Sequence, residues 1–283
     1  MTTIGIISPG AMGSALGRAW AAGGARVVAT VDGRSERTRG LAHGLELLPS
    51  LADVVRSADL VVSVCPPAHA ATVLDDVLAV VGDHRPLLAD LNAVSPETVR
   101  GLADRAASYG LDLVDGAISG GPPEPGDDTM VYLSGGRAAE VAALPADGIR
   151  TRVVGDAVGA ASGVKMCTAS VYKGTTALWA QALQTAHASG VLDVVLDDLA
   201  EAFPEQVPGV GRRIAVSTTK AHRFVGEMEQ IAATQAAAGA SGELFEGMAA
   251  VYRRLAATDL AELSPEEARA LTDLTSVLTR LRP

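Results

Sequence analysis

Ile4-Gly5-Ile6-Ile7-Ser8-Pro9-Gly10-Ala11-Met12-Gly13 opens the chain, and the reading of this stretch decides the fold. Ile4–Ile7 has the length and the β-branched content of a short buried strand. Ser8-Pro9-Gly10 breaks that run, and Ala11–Ala22 beyond it reads as a helix. Glycines in such a turn let backbone approach a pyrophosphate and let helix pack on strand. Gly10 and Gly13 are in place for this, while Ser8 stands where the first glycine of a G-x-G-x-x-G turn belongs. The same residues also suit an ordinary strand–turn–helix junction.

Working outward, short apolar runs alternate with amphipathic segments, the pattern of a parallel sheet wrapped by helices. Strands are expected at Ile4–Ile7, Arg26–Val31, Leu60–Val64, Pro86–Leu91 and Leu111–Ile118. Helices are expected near Ala11–Ala22, Arg34–Ala42, Leu51–Ser57, Ala68–Val80 and Pro96–Tyr109. Ser95 suits the N-cap of the last of these, Pro96 its first position and Glu97 its first turn. Thr129–Leu133 and Thr151–Val154 extend the sheet, joined by the Gly135-Gly136 turn and a short helix.

From about Ala157 the strand-like runs stop and Ala-rich helical periodicity takes over, beginning with Ala160–Ala188. Breaks follow at Phe203-Pro204, Val207-Pro208-Gly209, Gly239–Gly242 and Ser264-Pro265, the last starting a final helix. The fold class is therefore α/β: a Rossmann-type, doubly wound parallel sheet followed by an all-α C-terminal domain. The boundary falls near Gly155–Val158, dividing the chain into 1–156, an NAD(P)-binding domain, and 157–283, a helical substrate and dimerisation domain.

Composition narrows the function. Of 283 residues 48% are hydrophobic and only 3% aromatic, so Ala, Val and Leu must build the core. With 23 basic against 33 acidic residues, net -10 and no basic run, a phosphate-neutralising nucleic-acid surface is excluded. An anionic cofactor is not, because backbone N–H groups at a helix N-terminus bind anions locally. Cys65 and Cys167 read as two buried, reduced thiols, and the five scattered histidines have no zinc spacing, so no metal is expected. Met1-Thr2-Thr3 leads straight into a strand, and no apolar run reaches bilayer length. A soluble, cytoplasmic protein with no membrane partner is the expectation.

The end of the second strand should select the cofactor. An acidic residue there accepts the ribose 2′-OH of NAD, whereas arginine accommodates the 2′-phosphate of NADP. Val31-Asp32-Gly33-Arg34-Ser35 supplies both. Asp32 suits hydroxyls or a turn cap; Arg34 and Ser35 give a fork and a hydroxyl suited to phosphate, with Arg34 opening the next helix. NADP is the preferred reading and NAD the alternative. Cys65-Pro66-Pro67 lies at a strand's C-terminal end, where ligands bind in open α/β sheets, and either braces the cofactor or merely ends the strand.

Three further segments, Asp90-Leu91-Asn92-Ala93-Val94-Ser95-Pro96, Asp115-Gly116-Ala117-Ile118-Ser119-Gly120-Gly121 and Gly163-Val164-Lys165-Met166-Cys167-Thr168-Ala169, follow the opening turn in order. Together the four resemble the β-hydroxyacid dehydrogenase superfamily, which includes 6-phosphogluconate and 3-hydroxyisobutyrate dehydrogenases, over residues 1 to about 190. The rest, with Thr168-Ala169-Ser170-Val171-Tyr172-Lys173-Gly174 and Arg223-Phe224-Val225-Gly226-Glu227-Met228-Glu229, looks like a branch with its own version of the helical domain. The resemblance implies that Gly10, Ala11, Met12 and Gly13 hold the pyrophosphate. It implies that Asn92 sits at the nicotinamide with Ser95 near it, that Ser119, Gly120 and Gly121 clasp a substrate carboxylate, and that Lys165 is the catalytic lysine.

The chain departs from the family after that lysine. Two asparagines are usual three and four residues on; Thr168 and Ala169 stand there instead. Glu124, Asp127 and Asp128 follow Gly121, either repelling an anionic substrate or facing water, the latter preferred. Thr168, Ala169 and Tyr172 share the helix face of Lys165, so Tyr172 either contacts substrate or packs locally, while Lys173 points elsewhere and is structural or solvated. Lys220, His222 and Arg223 form a small basic group, read as a solvated face or as an anion-binding one.

The function expected is an NAD(P)-dependent oxidoreductase passing a hydride between nicotinamide and a small, anionic (β-)hydroxy acid. In it Lys165 is the general acid/base, within roughly 2.6–3.2 Å of the reacting hydroxyl. The alternatives are an imine reductase of the same architecture and a non-catalytic NADP-binding protein. A homodimer is expected from the apolar helical domain.

Overall fold

The computed structural model describes residues 1–281, which separate into two compact units, Met1–Met166 and Cys167 onward. The first is built on eight strands: β1 (Thr3–Ile6), β2 (Arg26–Ala29), β3 (Glu46–Leu47), β4 (Leu60–Ser63), β5 (Leu87–Asp90), β6 (Leu113–Ser119), β7 (Thr129–Ser134) and β8 (Ile149–Gly155). Their order is β3-β2-β1-β4-β5-β6-β7-β8. The first six are parallel, β7 runs antiparallel to β6, and β8 is parallel to β7. The 3-2-1-4-5-6 part is the doubly wound order, with its switch between β1 and β4.

Six helices complete this unit: α1 (Ala11–Ala22), α2 (Glu36–Leu41), α3 (Leu51–Ser57), α4 (Ala70–Val80), α5 (Pro96–Ala107) and α6 (Ala138–Ala142). Strand alternation feeds two cores. Val28, Val61, Leu88 and Leu113 face α3, α4 and α5. Val27, Ala29, Leu60, Val62, Leu87 and Ala89 face Leu16 and Trp20 of α1 and Val141 of α6. Both faces of the sheet are covered, which is why its strands read as continuous apolar runs. One outer strand is only two residues long, and the other, β8, carries the exposed Arg150 and Arg152. Short or charged edges resist pairing with another chain.

The long α7 (Ala160–Ala188) begins in the first unit and continues into the second. The second unit adds α8 (Leu192–Ala202), α9 (Val210–Thr218), α10 (Ala221–Ala237), α11 (Glu243–Ala256), α12 (Pro265–Ala270) and α13 (Leu274–Arg280). Phe224, Met228 and Ile231 of α10 and Phe245, Ala249, Tyr252 and Leu255 of α11 are buried, each set a stripe of helical period. Ser264 caps α12 in a capping box with Glu267, as its sequence signature indicates. That helix is not the final one. It ends at Ala270, and Asp273 caps α13 by accepting from Ser276 N at 2.8 Å. The thiols also differ from expectation: Cys65 is half-buried and Cys167 exposed. Among the described residues no helix is long and apolar enough to cross a membrane, and no His, Cys, Asp and Glu group has the arrangement of a metal site.

Candidate functional site

The C-terminal edge of the parallel strands gathers most of the singled-out residues of the first unit. Here α1 starts at N-cap Gly10 with no side chain capping it and no acid in its first turn. The amides of Ala11, Met12 and Gly13 belong to the turn that has no intrahelical acceptors, a ready site for an anion. Gly13 leaves no room for a side chain without a backbone shift, since a Cβ there would lie 2.3 Å from Ser8 O. Gly10 helps line a cleft of about 360 Å³, shared with Arg34, Thr38, Cys65, Pro66 and His69. An uncapped helix start on a cleft with a guanidinium across it fits the phosphates of a dinucleotide.

At the end of β2, Arg34 N donates to Val31 O at 3.1 Å in a turn, and Asp32 N donates to Thr30 Oγ1 at 3.2 Å. Arg34 does not open the next helix. Ser35 Oγ accepts from Thr38 N at 3.3 Å and is the N-cap of α2, so the helix starts at Glu36 and Arg34 stays on the turn before it. From there Arg34 lines the cleft and its Nη2 donates to Ile7 O at 3.4 Å. Asp32 is exposed and away from the lining of the cleft.

The ends of β4 and β5 are tied by one side chain. Asn92 Oδ1 accepts from Cys65 N at 2.6 Å, and its Nδ2 donates to Ser63 Oγ at 3.0 Å and Asp90 Oδ2 at 2.7 Å. Asn92 is 2% exposed. The resemblance sets this residue at the nicotinamide; in the fold its amide shapes the Cys65-Pro66 loop that borders the cleft. Burial pushes the Asp90 carboxyl up to about 7, against the hydrogen bonds from Asn92, and the neighbouring Asp115 pushes it the same way. Burial likewise pushes the Cys65 thiol up to about 11, which leaves it a spacer and not a nucleophile.

Ser119 closes β6, half-buried, and Gly120 turns the chain at φ +130°, a conformation that side chains rarely adopt. Thr129 Oγ1 donates to Gly121 O at 3.1 Å and holds the turn. Lys165 Nζ donates to Ile118 O at 2.7 Å, one residue before Ser119. The acidic loop beyond is exposed: Asp127 Oδ2 accepts from Glu124 N at 2.9 Å and Asp128 pairs with Arg150.

In the helical unit, Thr168 is half-buried and Tyr172 70% exposed. Lys173 takes the structural of its two expected roles. It pairs with the buried Glu227 and lies 4.3 Å from the centroid of Phe224, joining two segments that the sequence only marked as distinctive. Lys220 is lowered by burial first and then by Arg223 and Arg269, with Glu266 opposing.

Sequence reasoning assigned no role to Thr38 or His69 on the cleft, nor to Asp90, Asp115, Ser134 and Ser162. For the two aspartates the signal was present: an acid inside Leu87–Leu91 and another inside Leu113–Ile118 break apolar runs meant for the core.

Residues 3–146, just over half the chain, match the family model described as the NAD binding domain of 6-phosphogluconate dehydrogenase. Residues 186–255 match one described as a domain of unknown function, DUF1932. A 3-hydroxyisobutyrate dehydrogenase from Pseudomonas aeruginosa is 31% identical over 142 residues, 49% of this chain and 47% of that protein. The chain thus spans about half the length of that curated relative. A conserved hypothetical protein from Sinorhizobium meliloti 1021 superposes with TM-score 0.69 at 28% identity, covering 99% of this chain and 97% of its own. The Mycobacterium tuberculosis 3-hydroxyisobutyrate dehydrogenase shares the fold over 100% of both chains, with TM-score 0.70 at 21% identity. Imine reductases share it more loosely, at TM-scores of 0.53 to 0.56. The doubly wound sheet with its glycine turn and the helical continuation agree with one another, and the chain belongs to the β-hydroxyacid dehydrogenase superfamily, in a branch with its own helical domain.

Proposed function

We propose that this protein is an NADP-preferring oxidoreductase that moves a hydride between the nicotinamide and a small hydroxy acid whose alcohol is β to a carboxylate. The nicotinamide, when bound, supplies the hydride chemistry. The chain's residues do the rest. Backbone N–H groups of Ala11, Met12 and Gly13 hold the pyrophosphate at the start of α1, and Arg34 takes the 2′-phosphate, its fork matched to that group. Ser119 Oγ and the N–H groups of Gly120 and Gly121 clasp the substrate carboxylate.

The carrying observation is the place of Lys165. Its Nζ lies 2.7 Å from Ile118 O, at the carbonyl next to Ser119 and on the strand edge that bears the cofactor cleft. There Lys165 takes the hydroxyl proton as the alcohol is oxidised and returns it to the carbonyl oxygen in reduction. A homodimer accompanies this reading, supported by Val171 and Leu178, seven residues apart on α7 and 63% and 64% exposed.

Ala169 in place of a polar residue favours a second reading, reduction of a C=N bond. The test is a cofactor-linked turnover screen with NAD⁺ and NADP⁺ separately, against hydroxy acids, amines and cyclic imines. NADP⁺-linked oxidation of a 3-hydroxy acid is expected. Turnover of amines or imines alone selects the second reading, and tight NADP binding with no turnover of any class makes the protein a binder.

A further inference from the structure

The first turn of α7 sits on a buried carboxylate. Asp115 of β6 is fully buried. Its Oδ2 accepts from Gly159 N at 2.9 Å, Ser162 N at 3.0 Å and Ser134 Oγ at 2.8 Å, and its Oδ1 from Ser162 Oγ at 2.6 Å. Ser134 Oγ in turn accepts from Ala161 N at 3.0 Å. Three N–H groups at the start of α7 are thus met from β6 and β7, with negative charge at the helix's positive end.

Desolvating a charge is an expensive way to cap a helix, when an exposed Ser or Asp at the N-cap does the same with little burial. What the buried carboxylate adds is registration between helix and strand. Three residues further along β6 from Asp115, and three along α7 from Ser162, lies the second tie, Lys165 Nζ to Ile118 O. One tie leaves a helix free to rotate about it; two fix rotation and translation together. A slip of one residue would turn the lysine by about 100° around the helix. On the other side Asp115 is registered with Asp90, which Asn92 holds, so the anchor rests on a braced rung of the sheet.

We propose that Asp115 is a positioning residue for Lys165: anchored by Ser134 and Ser162, its carboxylate sets the register of α7 on β6, and that register delivers the lysine amine to the Ile118–Ser119 corner. This rests on the reading of Lys165 as acid/base, yet it is testable without a substrate. The chain has only three lysines, Lys165, Lys173 and Lys220. Reductive ¹³C-methylation of the full chain therefore gives three side-chain NMR signals, and Lys165→Arg assigns the first. Asp115→Asn keeps the shape and removes the charge; Ser162→Ala is the milder change should Asp115→Asn not fold.

In both variants the Lys165 signal is expected to leave its wild-type position, further in Asp115→Asn. Lys173 and Lys220 stay in place, and NADP affinity by fluorescence titration changes by less than about threefold. A Lys165 signal unmoved in a folded variant overturns the proposal, and so does a common shift of all three, which marks general loss of structure. Failure of the catalytic reading shows elsewhere, as undiminished turnover in Lys165→Ala.

Discussion

Lys165 belongs to a sequence that otherwise uses arginine: 3 of its 23 basic residues are lysines. Arginine stays charged under all ordinary conditions, whereas lysine can give up its proton, so the proposed proton transfer needs the lysine. The cofactor end has the opposite requirement, and there Arg34 lines the cleft. A charge-assisted hydrogen bond to phosphate is worth about 1.5–3 kcal/mol, roughly a ten- to hundredfold change in affinity. Arg34→Ala is accordingly expected to weaken NADPH by at least about tenfold and NADH by less than about threefold, by calorimetric titration. Equal weakening of both would mean that Arg34 does not read the 2′-phosphate. The sequence favours Arg34 over Asp32 only weakly, because both stand within three residues of one turn. In the fold the cap at Ser35 leaves Arg34 on the turn before α2, where it lines the cleft, and Asp32 is not among the lining residues.

At the scale of elements, α1 meets the turn after β1 at a contact that only glycine fits without a shift. Gly13→Ala puts a Cβ 2.3 Å from Ser8 O, overpacking of the kind that costs about 1–3 kcal/mol. A melting temperature lower by several degrees and weakened binding of both cofactors are expected; an unchanged melting temperature would show that the turn relaxes freely. Asp90 gives a pH dependence of defined sign. Its folded-state value is raised to about 7, above the unfolded carboxylate range, so its contribution is complete below about pH 4 and is lost as pH rises through 7. Surface carboxylates such as Glu46 and Asp53 are shifted down and act the other way, but they cancel between wild type and Asp90→Asn. Between pH 5 and 8 the wild type should lose melting temperature relative to Asp90→Asn, and parallel curves would contradict the burial argument. Helices with strong punctuation were legible to the residue: Ala11–Ala22, Leu51–Ser57 and Ala160–Ala188 are all found with the bounds that their sequence implies. β3 was not, since Glu46 and Leu47 are two exposed residues with no apolar period, and the Asp273 cap was hidden inside what reads as one helix.

For the whole molecule, a doubly wound sheet followed by helices was legible because buried strands and amphipathic helices differ in period. What the sequence did not reveal is which polar residues are spent inside the fold. Asn92, which the resemblance places at the nicotinamide, also binds Cys65, Ser63 and Asp90, and hydrogen bonds between strands have no linear signature. Assembly is tested at this scale. The wild type should elute with twice the 28.8 kDa chain mass, and Val171→Glu with Leu178→Glu should reduce it to one, by light scattering. A monomeric wild type would remove the dimer from the reading. The catalytic claim itself is tested most directly by comparing Lys165→Ala with wild type on the best hydroxy acid of the screen. A general acid/base is worth about 10²–10⁴-fold, so kcat should fall by at least about a hundredfold while NADP affinity stays within about threefold. A variant that keeps the wild-type kcat would contradict it.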